Sequence, residues 1–96
     1  MSYYIILNSL SEQGIENIKN TPERADNLKK ICEKNGVKIH GIYYTFGQYD
    51  VVVIVEAPND DAMLATLLAK EMDGAGKSIT LKAFTFEEAE KIISNL

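Results

Sequence analysis

Tyr43-Tyr44-Thr45-Phe46-Gly47-Gln48-Tyr49-Asp50-Val51-Val52-Val53-Ile54-Val55 is the stretch on which the fold turns. It holds the end of one strand-like run, Val37 to Phe46, and the start of another, Val51 to Ala57. Two such runs joined by a short Gly-containing link read as a β-hairpin. Gly47-Gln48 as a two-residue loop with Gly first is a type II′ signature. Phe46 then faces Tyr49, and Thr45 faces Asp50. Tyr43 pairs with Val52 on the face of Thr45 and Asp50, because strand side chains alternate. His40, Tyr44, Phe46 and Tyr49 fall on the opposite face. A one-residue slip would exchange the two faces.

Asp50 stands at the mouth of a wholly apolar strand. A carboxylate is costly to bury unless it is paired. Two readings follow. In one, Asp50 caps backbone N–H groups in the turn. In the other, it accepts a hydrogen bond from a ligand amine or hydroxyl, with Tyr43 and Thr45 beside it. His40 is a general base or haem-type ligand in the second reading, and an ordinary strand histidine in the first. The candidate ligand-binding residues are therefore His40, Tyr43, Thr45, Gly47, Tyr49 and Asp50.

Outward from the hairpin, Tyr3-Tyr4-Ile5-Ile6-Leu7 reads as a first strand. Ser9 and Glu12 have capping-box spacing for a short helix to about Lys19. Thr21-Pro22-Glu23 restarts the helix, with Thr21 as N-cap and Pro22 in the first turn. Ala25, Leu28, Ile31 and Cys32 follow at helical spacing, and Asn35-Gly36 ends the run. Asn59 caps a second long helix whose apolar side is Met63, Leu64, Leu67, Leu68 and Met72. Gly74-Ala75-Gly76 stops it. Ser78 to Thr85 reads as a fourth strand. Thr85 and Glu88 then form a capping box for a terminal helix that buries Ala89, Ile92 and Ile93.

The order is strand, helix, strand, strand, helix, strand, with a short helix at the end. This is the ferredoxin-like βαββαβ pattern, an α+β fold with a four-stranded antiparallel sheet and both long helices on one face. The other face of such a sheet is normally polar. Here Tyr3, Ile5 and Leu7 alternate with Tyr4 and Ile6, and Val51, Val53 and Val55 with Val52 and Ile54. Both faces need covers. The economical cover for the second is another copy of the same sheet, an isologous homodimer.

Bulk properties narrow the function. At 96 residues the chain is expected to be one domain, residues 1–96. A formal net charge of -4 argues against nucleic acid as a partner. The apolar runs are strand-length, so no membrane span is expected. The start Met1-Ser2-Tyr3 lacks the basic region of a secretory signal, and a single cysteine fits a reducing cytoplasm. Cys32 lies on an apolar helix stripe and reads as a small buried hydrophobe. With one Cys and one His, no metal site is expected in one chain. Gly76-Lys77-Ser78 has the end of a phosphate loop, but Glu71 stands where the motif needs its first glycine. Arg24, the sole arginine, reaches an anionic ligand or is solvated; solvation is the simpler expectation. No catalytic triad, nucleophile elbow or cofactor motif is present in the sequence.

The chain resembles the GYD family, small proteins named for a Gly-Tyr-Asp signature. The residues that carry the resemblance are Gly47-Gln48-Tyr49-Asp50 and the apolar strand running to Glu56-Ala57-Pro58. Gln13-Gly14-Ile15, Thr21-Pro22-Glu23-Arg24 and Leu81-Lys82-Ala83-Phe84-Thr85 extend it over nearly the whole chain. The resemblance implies a dimeric α/β-barrel assembly and no established activity. Three functions are carried forward. The first is a homo-oligomeric, cytoplasmic small-ligand-binding module, with the chain itself and a small molecule as partners. The second is a cofactor-independent monooxygenase or isomerase-like enzyme, with His40 or Tyr43 in a pocket between sheet and helices. The third is a purely structural assembly unit.

Overall fold

Tyr4, Ile6, Val53 and Val55 share one face of two adjacent strands, and they are the anchor of the fold. A computed structural model describes residues 1–72 and 76–96. Its elements are β1 (Ser2–Leu10), α1 (Glu12–Glu16), α2 (Thr21–Lys34), β2 (Lys38–Tyr44), β3 (Val51–Ala57), α3 (Asp60–Glu71), β4 (Gly76–Ala83) and α4 (Phe86–Ser94), with a 3₁₀ turn at Ile18–Asn20. The four strands form one antiparallel sheet in the order β2-β3-β1-β4. This is the ferredoxin-like order expected from the sequence.

β1 and β3 are the central strands, with Ile6 opposite Val53 and Tyr4 opposite Val55. Ile6 and Val55 are fully buried, and Cys32, Val37, Ala57 and Met63 close the core around them. α2 and α3 supply the cover through Cys32, Leu28, Met63 and Leu67. Val37 and Cys32 also complete the end of α2. The Gly36 and Val37 N–H groups donate to the carbonyls of Glu33 and Cys32, at 3.2 and 2.8 Å. That Schellman arrangement needs a left-handed residue, and Gly36 supplies it with φ 70°.

Several boundaries differ from the sequence reading. β1 runs on to Leu10, so Ser9 is a strand residue and Ser11 caps α1, accepting from the Gly14 N–H at 3.0 Å. Sheet pairing with β4, as far as Leu10 opposite Gly76, outweighs the local Ser9–Glu12 signal. α2 takes Asn20 as its N-cap position, one residue before Thr21. The caps at Asn59 and at Thr85–Glu88 form as expected. Of the expected stop at Gly74-Ala75-Gly76, the first two residues lie outside the described residues, and Gly76 already opens β4.

The helical stripes are also divided differently. α3 buries Met63 and Thr66, while Leu64, Leu68 and Met72 face outward. The Thr66 hydroxyl is tolerated in the core because it donates to the Ala62 carbonyl at 2.8 Å. On α4, Ile92 and Ile93 are exposed, contrary to the expected burial. α4 follows an edge strand, and within one chain no second layer stands over its apolar side among the described residues.

Removing side-chain volume at the centre of this core should be costly. Ile6→Ala is expected to lower the unfolding free energy by about 2–5 kcal/mol, read as a lower urea midpoint with an unchanged slope.

Candidate functional site

The hairpin link is a stitched loop. The Thr45 N–H donates to the Asp50 carbonyl at 2.9 Å, leaving residues 46–49 as the loop. The Thr45–Asp50 pairing and the Tyr43–Val52 pairing are those expected, but the loop is wider than a two-residue turn. The Thr45 hydroxyl donates to the Tyr49 carbonyl at 2.7 Å, and Gly47 takes φ 110°, a conformation other residues rarely adopt. Phe46 projects fully into solvent, and Tyr49 is half-buried.

Asp50 is used by the backbone. Its Oδ2 accepts from the Leu10 N–H at 2.8 Å, and its own N–H donates to the Asn8 carbonyl at 2.9 Å. The Gly-Tyr-Asp turn thereby ties the end of β1 to the start of β3. The half-buried carboxylate has a partner, which meets the burial cost that made it conspicuous.

A β-bulge redistributes the other candidates. Ile39 lies opposite Val55 and Gly41 opposite Ile54, so His40 is an extra residue on β2. An inserted residue reverses the facing of everything before it. His40 therefore joins Tyr43 on the sheet face away from the helices, and Tyr44 goes to the helix side. On that open face His40 stacks on Tyr3, with ring centres 5.2 Å apart, and its Nε2 lies 3.0 Å from Glu56 Oε1. Thus the structure brings together Thr45, Tyr49 and Asp50, and separately His40 with Tyr3 and Glu56. It does not bring His40 to Asp50.

On the helix side, a cavity of about 90 Å³ opens between α2 and the sheet. Its roof is Ala25, Leu28 and Ile31, and its floor is Ile42, Val51 and Val53. Most of its lining is apolar, and its polar side chains are Asn8, Arg24, Tyr44 and Lys70. Lys70 Nζ donates to Asn8 Oδ1 at 3.0 Å and lies 3.3 Å from Glu71 Oε1. Glu71 also accepts from the Ser78 hydroxyl at 2.6 Å, the main cause of a carboxyl pKa below the ordinary range. Arg24 differs: its Nη1 is shielded from water and has no hydrogen-bond acceptor among the described residues.

Asp50 reaches this cavity indirectly. Asn8, Leu10 and Val51, all lining residues, are the residues it bonds or adjoins. Sequence reasoning missed Asn8 and Lys70 as site residues and left Arg24 in solvent. The signal for Asn8 was present, since it breaks the buried parity of Tyr4 and Ile6. Nothing local marks Lys70.

Two further clusters are structural. The Tyr4 hydroxyl donates to Asp60 Oδ1, which also lies 3.3 Å from Lys82 Nζ, and Lys82 sits 5.9 Å above the Tyr4 ring. The Tyr4 hydrogen bond, then Lys82, holds the Asp60 pKa down, and the same bond raises that of Tyr4. Burial pushes the Cys32 thiol up to about 11, which suits a packed side chain and disables a nucleophile. Among the described residues, no group of three or more His, Cys, Asp or Glu side chains is arranged to hold a metal.

Comparison with known proteins agrees with this architecture. The sheet order and one-sided helices define a ferredoxin-like α+β protein. A chain of a homoserine dehydrogenase from Thiobacillus denitrificans superposes with a TM-score of 0.57 at 13% identity, over 84% of this chain and 17% of that one. At that identity the likeness concerns the fold alone. The GYD domain model matches residues 4–93, and the chain belongs to the GYD domain family. A relative from Thermus thermophilus, named "Glutamine synthetase and cystathionine beta-lyase binding protein", is 31% identical over 84 residues, covering 86% of this chain and 88% of the relative.

Asp50→Ala should lower stability by about 1–3 kcal/mol, because a charge-assisted bond is lost and the Leu10 N–H is left unpaired. Asp50→Asn keeps an acceptor and should lose less in the same urea titration. Stability should also depend on pH through Asp60, Glu71 and Glu88, whose folded pKa values are all lowered, Glu88 chiefly by the Thr85 backbone N–H. Such groups stabilise the fold above their unfolded pKa values and lose that contribution as pH falls through the folded ones. The urea midpoint should hold down to about the ordinary values of 3.8 and 4.5 and decline below them.

Proposed function

We propose that this chain is a homo-oligomeric small-ligand-binding module. The observation that carries the reading is the largely apolar cavity between α2 and the sheet, with a few polar side chains in its lining. Binding sites are typically of this kind: concave, mostly apolar, with a few placed polar groups. The ligand site so proposed is the cavity, and the Gly47–Asp50 hairpin serves as its support.

Self-association is supported by the opposite sheet face. Tyr43, Ile79 and Leu81 are about half exposed there, beside the partly covered Ile5, Leu7 and Ile54. Contiguous apolar patches of this kind mark association surfaces. A second sheet laid on the first would bury both copies of the patch by the same contacts. The name of the Thermus relative suggests protein partners for this chain as well, and the outward Leu64 and Leu68 of α3 offer such a partner apolar contact. No described helix is long and apolar enough to cross a membrane. The enzymatic alternative required His40 or Tyr43 in the pocket, and neither lines it.

The test is twofold. Sedimentation should show a wild-type dimer and a monomeric Ile54→Lys variant with unchanged circular dichroism; a monomeric wild type would end the self-association reading. A metabolite panel read by thermal shift should yield ligands that raise the melting temperature by mass action. Such ligands should lose their effect in Leu28→Trp, which fills the cavity, and an equal shift in that variant would exclude the cavity as the site.

A further inference from the structure

Arg24 is the sole arginine of the chain, and its placement is energetically odd. The guanidinium nitrogen Nη1 is out of water and has no acceptor among the described residues. Arg24 is otherwise only partly covered, but a polar N–H kept from water without an acceptor is a cost, and such groups are seldom left unpaired. The side chain could have extended into solvent from the first turn of α2, yet it lines the cavity.

Lys70 enters the same cavity from α3. Its ammonium has three donors. One is directed to Asn8 Oδ1, and another lies near Glu71 Oε1. Glu71 does not line the cavity and also holds the Ser78 hydroxyl. Arg24 and Lys70 are thus the charged side chains of the lining, while the nearby carboxylates of Glu71 and Asp50 stand outside it, held by the Ser78 hydroxyl and the Leu10 N–H. No carboxylate is among its described lining residues. The remaining walls are chiefly aliphatic.

From this pairing we propose that the cavity binds a short aliphatic carboxylate, its carboxylate taken by Arg24 and Lys70 and its chain by the wall of Leu28, Ile31 and Val53. The proposal rests on the ligand-binding reading above and names the ligand class. Arginine meets a carboxylate through two parallel N–H···O bonds, which would supply the acceptor that Nη1 lacks. Size sets the chain length. A dry cavity of about 150 Å³ accepts benzene, so the 90 Å³ here suits a segment of about four carbons. The charge pattern also disfavours an α-amino acid. Its ammonium group would enter beside two cations, with Asn8 Oδ1 already engaged.

The experiment is an NMR titration of the full chain, read on the methyl signals of Ile42, Val51 and Val53, with four probes: butyrate, butyramide, 2-aminobutyrate and inorganic phosphate. Butyrate should bind best. Butyramide and 2-aminobutyrate should be weaker by about 10-fold or more, the scale of one charge-assisted contact. Arg24→Gln should weaken butyrate by about 10- to 100-fold and leave butyramide unchanged. Arg24→Met should fold at least as stably as wild type without ligand, since it removes the unpartnered Nη1 group; a clear loss of stability would show that the guanidinium already has a structural partner and would overturn the proposal. Butyramide binding as well as butyrate would overturn the anion assignment while leaving the cavity a ligand site. Phosphate binding as well as butyrate would overturn the aliphatic assignment. If no probe moves the cavity methyls, the proposal fails, and if the metabolite panel is silent as well, the ligand-binding reading fails with it.

Discussion

The rest of the structure depends on the pairing of β1 with β3. These strands sit side by side at the centre of the sheet, and both carry apolar side chains on both faces. One face is satisfied within the chain by α2 and α3. Burial of Ile6, Val53 and Val55 there is the main favourable term available to so small a domain. The other face is left with Ile5, Leu7, Val52 and Ile54 incompletely covered. Among the described residues no helix is left to cover them, since α2 and α3 serve the first face and α4 packs substantially on no other element. The same strands that fold the chain thus leave an apolar surface partly uncovered.

The Gly-Tyr-Asp turn takes its meaning from that central pair. On its β3 side, β1 runs out of partner after Asn8, which lies opposite Val51, the first residue of β3, and only β4 pairs Ser9 and Leu10. Asp50 holds it with both its side chain and its N–H. Because Asn8 and Leu10 line the cavity, the carboxylate shapes the cavity wall without itself lining it. Gly47 and the Thr45 hydroxyl keep the loop in the form that aims Asp50 back at β1. A residue can therefore be conspicuous in a sequence and still act through the backbone alone.

The division between sites follows the bulge at His40. A regular β2 would have put His40 and Tyr44 on one face and left Tyr43 alone on the other. The extra residue sends His40 to the open face, where Glu56 and Tyr3 receive it, and leaves Tyr44 at the cavity. His40 and Tyr43 then share the open face, apart from the cavity. The polar groups of the cavity come from β1, α2, β2 and α3, four elements that are distant in sequence.

The element order, the βαββαβ pattern, the caps at Asn59 and Thr85, and the pairing of Thr45 with Asp50 were all legible in the sequence. Each rests on local chemistry: hydrophobic period, cap residues, and glycine where the backbone needs it. The two-sided apolar strands were legible for the same reason. The bulge was not read: Gly41 inside a strand run is a local hint of one, but nothing in Lys38-Ile39-His40 says which residue is extra. The outward turn of Leu64, Leu68 and Ile92 was not, because an apolar stripe shows its width in sequence but not how much of it a neighbour covers. The convergence of Asn8, Arg24 and Lys70 was decided only by tertiary structure. Their meeting depends on how two helices lie across the sheet, a long-range packing outcome that no local pattern encodes.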